Sequence, residues 1–177
     1  MRWTWCSSTG SLPRHNRKRR GLRIGTTLNT YRRHRELAAA GQLGRLTEVL
    51  DEGWVENCLG LTGWTVGLDI ALTNLQAGFA QAFGELQVVE HDVIEDSDRL
   101  VIRGENTATH VGPFLGVEPT GQRIAWDFID MYRAGPDGRL NWHFLVTDWN
   151  LVRLTLLGEA PDLPTTPTRR AVQTELA

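Results

Sequence analysis

The chain is 177 residues long, 41% hydrophobic and rich in tryptophan, with seven, which is enough apolar mass for one buried core. Its net charge of −2 joins two unlike parts: every charged residue before Glu36 is basic, ten in all, and the remainder holds nine basic against 21 acidic side chains. Composition excludes collagen, a coiled coil and wholesale disorder, and no stretch approaches the roughly 20 apolar residues of a membrane helix.

Residues 1–26 form the basic leader, expected to be disordered. Arg19-Arg20 resembles a twin-arginine signal, but no apolar run follows it, so an export role is not expected. The run Arg14 to Arg20 could meet an anionic surface by counterion release, yet Trp3 and Trp5 lie too far away to interleave with it as stacking platforms. With an acidic body behind it, the chain is expected to bind neither nucleic acid nor membrane. Cys6 and Cys58, the only cysteines, make no disulfide framework and no zinc spacing, so a reducing cytoplasm is the expected compartment. Val55, Leu59 and Leu61 around Cys58 indicate packing rather than a nucleophile.

The body occupies residues 27–158. Thr27 to Ala40 is rich in helix formers and stops at Gly41; Leu43, Leu46 and Leu50 predict a short second helix over Gln42 to Asp51. Trp54 to Gly67 is punctuated by glycine and reads as irregular. Leu68, Leu72, Leu75, Phe79 and Phe83 then make one apolar stripe of a helix about four turns long. The period changes to that of strands at Leu86 to Ile94, Arg99 to His110, Arg123 to Arg133 and Arg139 to Trp149, with turns at Glu95 to Asp98 and Ala134 to Gly138. Residues 159–177 are a Pro/Thr-rich tail. The expected architecture is α+β: a curved antiparallel sheet wrapped around three N-terminal helices, enclosing an apolar pocket for a hydrophobic small-molecule substrate.

Alternation selects the candidate site. Ile124, Trp126, Phe128, Asp130 and Tyr132 share one face of the third strand; Leu140, Trp142, Phe144, Val146 and Asp148 form one row of the fourth. Each apolar row carries one carboxylate. An ionised carboxylate there is costly unless paired, and a carboxyl group in such surroundings can exchange protons near neutral pH. The alternative is structural: Asp130 and Asp148 cap strand ends or pair with Arg133 and Arg153. His110 and His143 are candidate proton shuttles or orienters, against the plainer reading of satisfied structural histidines. No metal site is expected, because His110, His143 and an aspartate have no ligand spacing. A phosphate loop, a G-x-S-x-G elbow and an HExxH pair are all absent from the sequence.

T-H-V-G-P-F-L-G-V-E-P-T-G-Q-R over Thr109–Arg123, F-I-D-M-Y-R over Phe128–Arg133, D-G-R-L over Asp137–Leu140, then Asp148 and L-L-G over Leu156–Gly158, resemble the SnoaL-like polyketide cyclase or ester cyclase family. The resemblance runs from about Asn29 to Gly158 and takes in the helix that opens at Gly67-Leu68-Asp69. It implies a nuclear-transport-factor-like cone, a homodimer joined through the outer sheet face, and intramolecular aldol ring closure by carboxylate acid/base chemistry without metal or organic cofactor. Asp148 matches the family's strand-end aspartate, and Asn57 falls where relatives often carry a polar residue. The sequence departs where the cyclases place their acid/base aspartate, at Leu145, and their nearby histidine, at Asp130; Trp142 replaces a common glutamate. The reading is Asp130 as general acid/base, Asp148 and His143 as its orienters or proton partners, and Trp126, Phe128, Trp142, His110 and Asn57 as substrate-binding residues. Epoxide opening, hydroxylation and non-catalytic ligand binding on the same fold stand as alternatives.

Overall fold

A computed structural model of the protein describes residues 26–162, so the leader and most of the tail lie outside the described residues. The described residues open with α1 (Thr26–Ala39) and a short 3-10 helix (Leu43–Glu48), then make a hairpin of β1 (Leu50–Cys58) and β2 (Gly63–Val66). Helices α2 (Leu68–Ala77) and α3 (Phe79–Ala82) lead into β3 (Phe83–Asp96), β4 (Arg99–His110), β5 (Arg123–Ala134) and β6 (Leu140–Val146), and α4 (Trp149–Leu157) follows. The six strands form one curved, open sheet in the order β2-β1-β6-β5-β4-β3. Every pairing is antiparallel except β1 with β6, which is parallel.

The α+β plan and the last four strands stand as expected. Four details differ. The stretch read as irregular is the β1–β2 hairpin, a pattern hidden because Glu56 and Asn57 interrupt its apolar alternation and Gly60 and Gly63 take positive φ in its turn. The second helix is a short 3-10 helix of six residues. Gly78 divides the long stripe into α2 and α3, and Phe83 opens β3 rather than closing a helix. The fourth antiparallel strand stops at Val146, where Asp148 caps α4 by accepting a hydrogen bond from the Leu151 N–H at 2.9 Å. No described helix is long and apolar enough to cross a membrane.

Two clusters fill the inner side of the sheet. Tyr31, Leu37, Trp54, Leu68, Ile102, Phe128, Tyr132 and Leu140 join α1, α2 and the strands in one. Phe83, Phe114, Ile124, Trp126, Trp149, Val152 and Leu156 join α4 to the other end. Gly104 allows the first cluster to close. A Cβ there would meet the Phe128 ring at 2.7 Å and the Val89 carbonyl closer still, so the ring lies directly on bare backbone. Gly104→Ala should therefore destabilise the fold by about 1–3 kcal/mol, as overpacking does, read as a lowered urea midpoint with unchanged slope.

Candidate active site

Strand register assembles a charged cluster inside the first apolar cluster. Asp130 on β5 faces Leu145 on β6, and Tyr132 faces His143, so Asp130 and His143 are diagonal neighbours on one face. Across the parallel pairing Glu56 of β1 stands beside His143. His143 Nε2 lies 2.9 Å from Asp130 Oδ1, and its Nδ1 lies 3.8 Å from Glu56 Oε2. The Trp54 indole N–H donates to Glu56 Oε2 at 3.0 Å, and the Tyr132 hydroxyl donates to Asp130 Oδ2 at 3.4 Å. The imidazole stacks on Tyr132 at 4.6 Å and 10°, and on Trp54 at 5.8 Å and 29°.

These neighbours set the protonation states. Burial alone would push His143 down, but the Asp130 charge and hydrogen bond, reinforced by Glu56, raise it to about 9, so it is an imidazolium at neutral pH. Burial pushes Glu56 up, yet the nearby His143 imidazolium and the hydrogen bond from Trp54 outweigh this and hold it below the usual carboxylate range. On α1, His34 lies edge-on to Tyr132 at 6.3 Å; burial, helped by Arg35, lowers it to about 3 and keeps it neutral. Burial and the Glu56 charge push the Cys58 thiol up to about 12, which leaves it unreactive, in keeping with a packing residue.

The remaining predicted residues are placed elsewhere. Asp148 is occupied as the α4 cap and is not among the groups bonded to Asp130 or His143. Trp142 lies on the outer face, because β6 alternation sends it away from His143; it stacks on Phe144 and carries Arg133 over its ring at 4.6 Å. Asn57, register partner of Phe144 and Trp64, belongs to that outer side, buried with its Oδ1 lacking a protein donor. Phe128 packs in the first cluster and Trp126 in the second. His110 is enclosed by its own motif: the N–H of Thr120 (3.2 Å) and its hydroxyl (3.1 Å) both meet Nδ1, which assigns the ring proton to Nε2. The T-H-V-G…P-T-G block is thus a clasp, with the Gly121 N–H bonded to the His110 carbonyl.

Sequence reasoning missed Glu56, Trp54 and His34. Their signal was present: Trp54 and Glu56 sit at i and i+2, one face of a strand, within a segment read as a loop.

The SnoaL-like polyketide cyclase family matches over residues 28–152. A comparison with curated proteins returns no match. Among solved structures, a proposed SnoaL-like polyketide cyclase from Jannaschia sp. CCS1 superposes with a TM-score of 0.68 at 23% identity, covering 77% of this chain and 93% of that one. IdmH, a proposed polyketide cyclase from Streptomyces antibioticus, gives 0.62 at 26% identity over 75% and 98% of the two chains. An NTF2-like protein from Burkholderia pseudomallei gives 0.61 at 18% identity over 74% and 96%, which places the fold in the NTF2-like class.

The cluster makes stability depend on pH in two directions. Between about pH 3 and 6.5 the unfolded chain binds a proton at His34 that the folded chain refuses, so stability rises with pH. Between about 6.5 and 9 the folded chain keeps the His143 proton that the unfolded chain has released, so stability falls. Thermal unfolding across this range should peak near pH 6–7, and His143→Gln should flatten the alkaline limb. A wild-type midpoint constant from pH 6.5 to 9 would contradict the imidazolium.

Proposed function

The chain belongs to the SnoaL-like polyketide cyclase family, and from that premise we propose that it closes a ring in a hydrophobic, polyketide-like substrate by aldol chemistry at Asp130. The observation that carries this reading is the 2.9 Å contact between Asp130 and a buried imidazolium within an aromatic enclosure. The Asp130 carboxylate removes a proton alpha to a substrate carbonyl, leaving an enolate. The enolate carbon bonds to a second carbonyl carbon, whose π pair moves to oxygen, and that alkoxide takes the proton back from Asp130. No proton is lost overall, and the product is an isomer of the substrate. His143, held charged by Asp130 and Glu56, lowers the energy of the negative charge on the carboxylate and on the enolate. Trp54 and Tyr132 fix its plane.

The departures from the family pattern support a relocated pair. The positions that carry histidine and aspartate in the cyclases correspond to Asp130 and Leu145, which are direct cross-strand partners here. This chain has the carboxylate on β5 and the imidazole two residues along β6. Asp148, the α4 cap, is assigned a structural role.

One observation favours a second reading, a non-catalytic protein in which the cluster is a buried ion-pair network. The side chains of Asp130 and His143 are only 8% and 12% exposed. Two surface clefts among the described residues, at Glu85–Arg123 and between β5 and α4, lie elsewhere. Catalysis requires Tyr31 and Trp54 to yield space when substrate enters.

The outer sheet face supports a homodimer, because Trp64, Val66 and Ile94 are each more than 60% exposed there. The free Cys58 fits a reducing cytoplasm.

The catalytic reading is tested by alpha-proton exchange in D2O on linear polyketide esters, which does not require the natural ring to form. Asp130→Asn, with its fold verified by circular dichroism, should lower exchange and ring closure about a thousandfold. Undiminished turnover in that variant sinks the assignment; wild-type protein inert on every ester, with Asp130→Asn only destabilised, establishes the ion-pair reading. Trp64→Glu should convert a dimer to a monomer in sedimentation velocity.

A further inference from the structure

Away from Asp130 and His143, the outer face of the sheet holds a cluster that packing does not explain. The register sets Glu105 of β4 directly opposite Asp127 of β5, so two carboxylates face each other across one strand pair, which is repulsive. A neighbouring position on the same face shows the usual remedy: Asp92 of β3 is neutralised by Arg103 at 2.7 Å. Glu105 and Asp127 have no such cation among the described residues.

What stands beside them instead is a histidine. The β3–β4 register slips between Glu90 and Asp92, and His91 is the residue in the slip. A bulge of this kind re-aims a side chain, and bulges gather next to functional sites. His91 stands between the Glu90–Gly104 and Asp92–Arg103 pairs, diagonal to Glu105, and one ligand atom from each of His91, Glu105 and Asp127 lies within 4.8 Å of the others. Donors about 2.1 Å from a shared ion stand roughly 3–4 Å apart, so small side-chain rotations suffice to close on one.

A second observation concerns charge beyond the triad. Glu105 and Asp127 also line the cleft of about 450 Å³ between β5 and α4, where Asp148 and Asp162 add two more carboxylates. Among the described residues lining that cleft there is no lysine, arginine or histidine. The field of those carboxylates attracts cations.

We infer that His91, Glu105 and Asp127 bind one divalent transition-metal ion, with water completing its shell. One imidazole and two carboxylates suit Zn2+ or Mn2+ better than Ca2+, which takes six to eight oxygens. The ion tethers β3, β4 and β5 on the face opposite the acid/base cluster and removes the Glu105–Asp127 repulsion. This assignment is independent of the catalytic reading, since none of the three residues contacts Asp130 or His143.

Metal-free full-length protein, titrated with Zn2+ by calorimetry at pH 7.5, should take up one ion at a site that His91→Gln and Asp127→Asn each weaken at least tenfold. Zn2+ should raise the thermal midpoint of the wild type and of neither variant. Without metal the sign reverses: Asp127→Asn should be at least as stable as the wild type, because the opposed charge is gone. These side chains point outward, and circular dichroism verifies that both variants fold. Zn2+ uptake that both variants leave unchanged assigns the ion to other ligands and overturns the proposal, as does the absence of uptake by the wild type.

Discussion

One buried cation organises this molecule. His143 carries a positive charge inside an apolar cluster, and it can do so because Asp130 and Glu56 approach it from the two flanking strands. Each partner constrains the others. A lone imidazolium at that depth would shed its proton, and a lone carboxylate would be forced to take one. The parallel β1–β6 pairing is what delivers Glu56; an antiparallel sheet made only of the last four strands would leave the ring with a single counter-ion. Fold topology and site electrostatics therefore rest on the same strand junction.

That junction also explains how β6 serves two environments. Its inward residues, His143 and Leu145, continue the row of Asp130 and Tyr132 across the sheet. Its outward residues, Trp142 and Phe144, stack on each other and on Trp64, with Arg133 above the Trp142 ring. The inward side of β6 is buried with its charged ring, and its outward side is aromatic, as expected of a face meant to be covered.

The same feature limited what the sequence revealed. On β5 the inner row is aromatic and aliphatic apart from one carboxylate, so Asp130 was identifiable from its row alone. On β6 the apolar row, with Trp142 and Phe144, reads as the inward one, yet it is the outer row, and the mixed row with His143 and Leu145 faces in. Asp148 prolonged that row on paper because nothing in the local pattern distinguishes a strand-end aspartate from a helix cap; the distinction is made by Leu151, three residues on, whose N–H needs an acceptor. Glu56 escaped because a buried acid looks like loop composition until its partner on another strand is known. Pairings between distant strands, His143 with Glu56 and His91 with Glu105 and Asp127, are properties of register, and register is the level at which a single sequence is least informative.

The relation between Asp130 and Leu145 carries the comparison with the family furthest. Cross-strand partners share one local environment, so an acid and an imidazole can exchange strands while the chemistry keeps its location, provided the second group moves two residues to stay on the same face. Here that displacement is the step from Leu145 to His143. It draws the imidazole toward β1 and into reach of Glu56, which a ring at position 130 would not have beside it. The place of His143 on β6 thus brings a second carboxylate, and with it an imidazolium that persists above neutral pH. In the proposed reaction a fixed positive centre beside Asp130 would favour an enolate over its neutral precursor.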